Sequence, residues 1–365
     1  MTEPMATATS SSASTIALGV AIQAGEAVLI WGDPGVGKTS TITAVCKSLT
    51  RPLEVVIGSI CEPTDIGGLP VRTPRGVEFV APGWAVRVKA HPGSVVLFDE
   101  LTTVPHDVQA AMLSVILERR VGSLHLPENT TFVGAANPPA SGGTRGLTPA
   151  LANRFCHLNW PLDAAAWSLG LEHGFPAPSL PELSADWLDT LPLWAGHVAA
   201  FIRRRPDLLM AAPTVDRSRA WPSPRSWTMA ARLAATGTHA RVGEEVAHLL
   251  ISGCVGQGPA LEFASWLRTV DLTDPREALD DPFGVDLPHA ADRCHALLDA
   301  VTGFVEQSMD EKDWRSAWEL HGRVARERGV DVAVVTAMRL AKCQREQWLA
   351  PPEVRLFAPV VGRAA

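Results

Sequence analysis

The chain has 365 residues, 46% of them hydrophobic and 19% charged, and a net charge of -7. That size suits about two domains, the composition excludes wholesale disorder, and the acidic balance disfavours duplex nucleic acid as main partner. Six scattered cysteines (Cys46, Cys61, Cys156, Cys254, Cys294 and Cys343) form no C-x-x-C pair, so they read as buried thiols in a reducing compartment rather than as zinc ligands or disulfides.

Met1 to Ser14 is polar, small and nearly uncharged. It lacks the basic start and apolar run of a secretory signal and reads as a disordered tail. No apolar run reaches the roughly 18 residues of a membrane span. The expectation is a soluble, cytoplasmic protein with no membrane contact.

Ala27 to Trp31 is a continuous apolar run, the pattern of a strand buried on both faces of a parallel sheet. The loop "GDPGVGKTS" follows: Gly32, Asp33, Pro34, Gly35, Val36, Gly37, Lys38, Thr39 and Ser40. Ile42, Val45, Cys46 and Leu49 then mark an amphipathic helix. A strand, a G-x-x-x-x-G-K-[ST] loop and a helix, in that order, make a phosphate-binding site. The glycines let backbone N–H groups curl around phosphates, and the helix N-terminus adds partial positive charge. Lys38 reaches the β- and γ-phosphates, and the Thr39 hydroxyl ligates Mg²⁺. ATP and Mg²⁺ are therefore the expected ligands.

Downstream, "LPVR" and "VEFV" flank "TPRG", a hairpin signal with Arg72 and Arg75 near its tip. The run Val95 to Phe98 predicts a second buried strand ending in Asp99 and Glu100. Adjacent residues at a strand end point to different faces, so Asp99 serves the metal and Glu100 acts as general base on water. A helix over Pro105 to Glu118, with Val108, Met112, Val115 and Ile116 inward, precedes a second hairpin. "TFVGAAN" predicts a third buried strand, whose terminal Asn137 can position the attacking water. "FCHLNW" reads as an edge strand.

Beyond Pro161 the chain turns helical. Trp194, Val198, Phe201 and Ile202 form a stripe, and the arginines of "RRRPD" suit a helix C-terminus. Ser223, Pro224 and Arg225 read as N-cap, N1 and N2 of a helix running to Gly237. The acidic, proline-rich stretch 271–290 reads as a linker. Stripes at Leu297, Leu298, Val301, Phe304 and Val305, and at Trp314, Ala317, Trp318 and His321, predict a further helical domain. Twelve tryptophans and no tyrosine favour packing over exposed recognition.

The order of "GDPGVGKT", "VVLFDE", "FVGAANPP", "LTPALANRF" and "SPRSW" resembles the MoxR-like AAA+ ATPases of the helix-2-insert clade, over roughly residues 16–267. The resemblance implies an α/β core with a parallel sheet (15–160) and a helical lid (161–270); the linker (271–290) and the C-terminal helical domain (291–365), read from the residues themselves, lie outside the family core. It implies that Asn137 is the sensor-1 residue, that Arg154 is an arginine finger reaching a neighbouring subunit, and that Arg225 is the sensor-2 arginine. Against the family form L-P-E-A-Q-L-D-R-F, Pro149 and Ala150 shift the pattern and Asn153 replaces the acid. The first hairpin becomes the clade's helix-2 insert, facing a pore or a substrate. The implied function is a ring-forming ATPase, a hexamer, that remodels a protein client in a chaperone-like role, with a von Willebrand A-type domain protein as partner. Two alternatives are a nucleic-acid motor subunit, disfavoured by the charge, and a nucleotide-gated scaffold, disfavoured by intact Glu100, Asn137 and Arg225.

Overall fold

The structure is a computed structural model, and it describes residues 12–74, 76–138, 145–212, 218–269 and 274–361. Residues 1–11 of the expected tail, and Arg75, lie outside the described residues. The described residues divide into two compact units. The first takes 12–184 and 211–258; the second takes 185–210 and 259–361.

The first unit begins with α1 (Ala13–Gln23), capped by Ser12, whose side chain accepts from the Thr15 N–H. Then come β1 (Val28–Trp31), α2 (Lys38–Ser48), β2 (Leu53–Ile57), α3 (Pro63–Gly67), β3 (Leu69–Thr73), β4 (Gly76–Val80), α4 (Gly83–Ala90) and β5 (Val95–Asp99). They are followed by α5 (His106–Glu118), β6 (Arg120–Val121), β7 (Leu124–His125), β8 (Thr131–Ala136), α6 (Pro149–Ala152), β9 (Cys156–Asn159) and α7 (Ala164–His173). After α8 (Leu191–Arg204), which belongs to the second unit, the first unit resumes with α9 (Pro224–His239) and α10 (Glu244–Val255).

The apolar runs do what their patterning dictates. β1, β5 and β8 are buried along their lengths, apart from Asp99 at the tip of β5. They form the centre of a five-stranded parallel sheet in the order β2-β5-β8-β1-β9. Such strands need helices on both faces. The order matters more than the count: β5, β8 and β1 are immediate neighbours, so their carboxyl ends, carrying Asp99, Asn137 and Gly32, lie along one stretch of one edge. Ligands of open parallel sheets bind at that edge.

Two local differences from the sequence reading have physical causes. α1 starts inside the stretch read as tail. Its residues Ala17 to Ile22 are all buried, so it shows no apolar stripe, and its small residues disguise it. The stretch read as a linker contains α12 (Pro275–Asp280), whose Ala278 and Leu279 are buried in the second unit's core. The helix from Pro224 runs two residues past the expected Gly237.

The second unit is helical: α8, α11 (Gln257–Thr269), α12, α13 (Ala291–Ser308), α14 (Glu311–Arg328), α15 (Val330–Lys342) and α16 (Val354–Val361). Trp314 and Trp318 are fully buried in its core beside Trp348 and Phe357. Of the arginines at the end of α8, Arg203 pairs with the buried Asp299, and Arg205 with Asp207 and Glu262. They are ion-paired within the unit, beyond any dipole effect.

His197 and His321 are buried in this unit, and burial pushes both pKa values down to about 4. The folded state thus holds them neutral. Their stabilisation is complete above the unfolded value near 6.5 and is lost as pH falls toward 4. We expect a loss of about 2 kcal/mol per histidine by pH 5. Urea midpoints of the second unit's transition between pH 7.5 and 5 should show it, and His321→Asn, which keeps a donor for the Ala317 carbonyl, should flatten the slope.

Candidate functional site

The loop between β1 and α2 owes its shape to glycine. Gly35 and Gly37 take φ of +83° and +88°, a region that other residues resist. At Gly32 a Cβ would lie 3.0 Å from Val36 Cγ2 and 3.1 Å from the Trp160 carbonyl oxygen. Asp33, Pro34 and Gly35 are exposed while Lys38 is buried. The loop therefore shows its backbone outward and draws its lysine in. Ser40, on the first turn of α2, is exposed.

Lys38 Nζ donates to three oxygens: the Gly32 carbonyl at 2.7 Å, the Asp33 carbonyl at 3.0 Å and Asn137 Oδ1 at 2.8 Å. Burial pushes its pKa down, against the opposing pull of Asp99 and Asp33. Thr39 Oγ1 donates to Asp99 Oδ2 at 2.8 Å, and the Glu100 N–H donates to Asp99 Oδ1 at 2.8 Å. The structure thus brings the phosphate-loop residues, Asp99 and Asn137 into one hydrogen-bonded cluster. Glu100 lies beside it, exposed, with φ of +58°. A non-glycine residue in that region is strained and tends to mark a functional position.

Mg²⁺ fits this donor set. A threonine hydroxyl and a carboxylate in contact are hard oxygen donors, and Mg²⁺ takes few protein ligands, completing its shell with water and phosphate oxygens. Thr39 and Asp99 would hold it, and it would supply charge neutralisation on the phosphates.

One contributor has no signal in the sequence. Thr102 Oγ1 accepts from the Asn137 N–H at 3.1 Å and donates to the Asn137 carbonyl at 3.3 Å. This buried threonine fixes the backbone that carries the Asn137 amide.

The two arginines stand elsewhere. Among the described residues neither hydrogen-bonds the phosphate loop, Asp99 or Asn137. Arg154 follows the short α6, and its Nε is buried with no hydrogen-bond partner. Burial lowers its pKa, and the neighbouring Arg225 guanidinium lowers it further. Arg225 lies in the first turn of α9, after the Ser223 cap. Two guanidiniums near enough for one to lower the pKa of the other would both be favoured by an anion between them. Ala152, two residues before Arg154, is bound on another side: His157 Nε2 donates to its carbonyl at 2.8 Å and Nδ1 accepts from Trp31 Nε1 at 2.9 Å. The Arg219 guanidinium stacks 3.8 Å from the Trp31 ring centre.

The hairpin is the remaining predicted feature. β3 and β4 pair antiparallel, with Leu69 opposite Val80 and Arg72 opposite Val77. The strands are exposed on both faces, including Leu69, Val77, Phe79 and Val80. Its root is held by the next turn, where Gly122 N–H donates to the Gly67 carbonyl at 3.0 Å. The described surface of the hairpin is thus mainly apolar, with Arg72 exposed upon it.

A parallel sheet with a phosphate loop after β1 and an Asp-Glu pair after β5 defines a P-loop nucleotide-binding domain. Residues 27–155 match the family described as AAA domain (dynein-related subfamily). The chain is 32% identical over 152 residues to midasin of Dictyostelium discoideum, covering 38% of this chain and 2% of that protein. It is 34% identical over 109 residues to protein MoxR of Methylorubrum extorquens, covering 30% of this chain and 32% of that protein. The chain therefore spans only a minor part of either relative. A crystal structure of a candidate ATPase from Cytophaga hutchinsonii superposes with a TM-score of 0.43 at 18% identity, over 70% of this chain and 88% of that one. Over residues 27–155 the chain is thus similar to the AAA domain of the dynein-related subfamily, and over 30% of its length to MoxR.

The contact between Lys38 and Asn137 makes a prediction about charge. Asn137→Asp would place a carboxylate on the ammonium that phosphate must engage. Charge-assisted hydrogen bonds contribute about 1.5–3 kcal/mol, so ATP affinity should fall about 10- to 100-fold. Asn137→Ala should keep affinity and lose turnover. Titration calorimetry with ATP·Mg²⁺ separates the two, and equal affinities would contradict the assignment.

Proposed function

We propose that the chain hydrolyses ATP within a ring of its own copies and uses the energy to remodel a protein client. The observation that carries this is the convergence of Lys38, Thr39, Asp99 and Asn137 at the carboxyl ends of three adjacent strands. Phosphates displace neutral oxygens from the Lys38 ammonium, a favourable exchange for a buried cation. Glu100 takes the proton of the attacking water, and Asn137 orients that water or the γ-phosphate.

Arg154 and Arg225 supply the remaining charge in trans. Among the described residues Arg154 Nε has no hydrogen-bond partner and neither arginine bonds the phosphate loop of the same chain, which supports a neighbour's nucleotide as their anion. Each interface is then built from the loop of one copy and the arginines of the next. A ring closes such heterologous contacts, and a hexamer is the size the family resemblance favours. The client contacts the β3–β4 hairpin, whose exposed apolar residues and Arg72 suit a protein surface better than a polyanion. A von Willebrand A-type protein is the partner this reading favours, and the assembly works in the cytoplasm. Among the described residues no helix is long and apolar enough to cross a membrane.

The test is a pair of variants. Lys38→Ala should abolish ATP binding. Glu100→Gln should bind ATP and lose about 10²–10⁴ in turnover, the usual contribution of a general base. Sedimentation of Glu100→Gln with ATP should show a closed oligomer; a monomer with full ATPase activity in the wild type would overturn the ring.

A further inference from the structure

Asn153 stands where the family pattern has an acid, directly before Arg154, and it is buried. Its side chain does not face the phosphate loop. Asn153 Nδ2 donates to the Trp221 carbonyl at 3.2 Å, and Oδ1 accepts from Ser223 Oγ at 2.8 Å. Ser223 is the N-cap of α9, two residues before Arg225. One amide therefore ties the turn that carries Arg154 to the helix start that carries Arg225, across 70 positions of sequence.

The network has little freedom. The Ser223 hydroxyl has one proton and two candidate acceptors, Asn153 Oδ1 at 2.8 Å and Ser226 Oγ at 3.3 Å. The shorter contact takes it. Ser223 Oγ then accepts from the Ser226 N–H at 3.1 Å, which caps the helix. Ser226 Oγ accepts from the Ser223 N–H at 2.8 Å and donates to the Trp221 carbonyl at 3.0 Å. The Trp221 oxygen thus receives both Asn153 and Ser226. Ser223 and Ser226 are buried as well. A buried polar network with its groups satisfied has a single arrangement and holds it rigidly.

Rigidity has a purpose at this place. Arg154 follows a helix of only four residues, too short to hold a long side chain by itself. The two guanidiniums repel each other, and a tether between their turns opposes that repulsion. We propose that Asn153 is a positioning residue that fixes Arg154 and Arg225 as one preorganised anion-gripping pair. An acid in its place would put a second acceptor against the Trp221 carbonyl and an internal anion beside the arginines. The amide keeps the connection and leaves the pair free for phosphate. This inference rests on the reading that the arginines act on ATP.

The experiment compares Asn153→Ala and Ser223→Gly in the full chain, each with and without the paired change Arg154→Ala and Arg225→Ala. Glycine is a good N-cap, so Ser223→Gly removes the hydroxyl with little harm to α9. Steady-state kinetics and direct ATP titration are the readouts. Misplacement of a charge-stabilising group should lower kcat about 10- to 100-fold, with KM and ATP affinity within about twofold of wild type. In the background lacking both arginines neither change should cost anything further. Additive losses in that background, or a raised KM with unchanged kcat, overturn the positioning role while leaving the arginine assignment intact. Wild-type turnover in Arg154→Ala alone overturns the arginine reading, and this inference with it.

Discussion

The chemistry of the first unit hangs on a buried ammonium that, among the described residues, makes no hydrogen bond to a carboxylate. Lys38 is satisfied by two backbone carbonyls and one side-chain amide, all neutral. Asp99 is near enough to raise its pKa, yet that carboxylate is bonded to Thr39 and to the Glu100 N–H instead. Burial opposes the charge, and neutral dipoles only partly compensate it. A polyphosphate supplies what is lacking. The same arrangement explains why Asn137 has to be exact in position, and hence why Thr102 grips its backbone from both sides.

The arginine pair repeats that logic at a second place. Arg154 and Arg225 are cations held in position by neutral groups, through Asn153, Ser223 and the Ala152 carbonyl. In the proposed function one half-site offers a phosphate cradle with its metal ligands and base, and the other offers charge for a phosphate. The Trp31–His157 bond links the two within the chain, because Trp31 immediately precedes the phosphate loop and His157 holds the turn before Arg154.

Much of this was legible in the sequence because it is encoded locally. The apolar runs at Val28, Val95 and Thr131, the glycines at 35 and 37, the Ser223-Pro224 helix start and the two hairpins each carry their signal within a few residues. What was hidden is non-local or unpatterned. α1 is buried all round and made of small residues, so no stripe announces it. α12 lies in a stretch whose acidic residues and prolines suggest a linker, yet Ala278 and Leu279 suffice to bury it. Thr102 and Asn153 matter through partners about 35 and 70 positions away, and no periodicity reports such a bond. The passage of the chain between two compact units, in at 185 and out at 211, likewise depends on tertiary contact alone.

The central claim is that each active site is assembled from two copies of the chain. Subunit mixing tests it most directly. Lys38→Ala has a defective loop and sound arginines; Arg154→Ala has the reverse. Each should be inactive alone. Mixed in equal amounts, they should regain a substantial fraction of wild-type ATPase activity, because some interfaces then join a sound loop to a sound arginine pair. A mixture as inactive as its components, under conditions where the copies demonstrably co-assemble, would contradict the account.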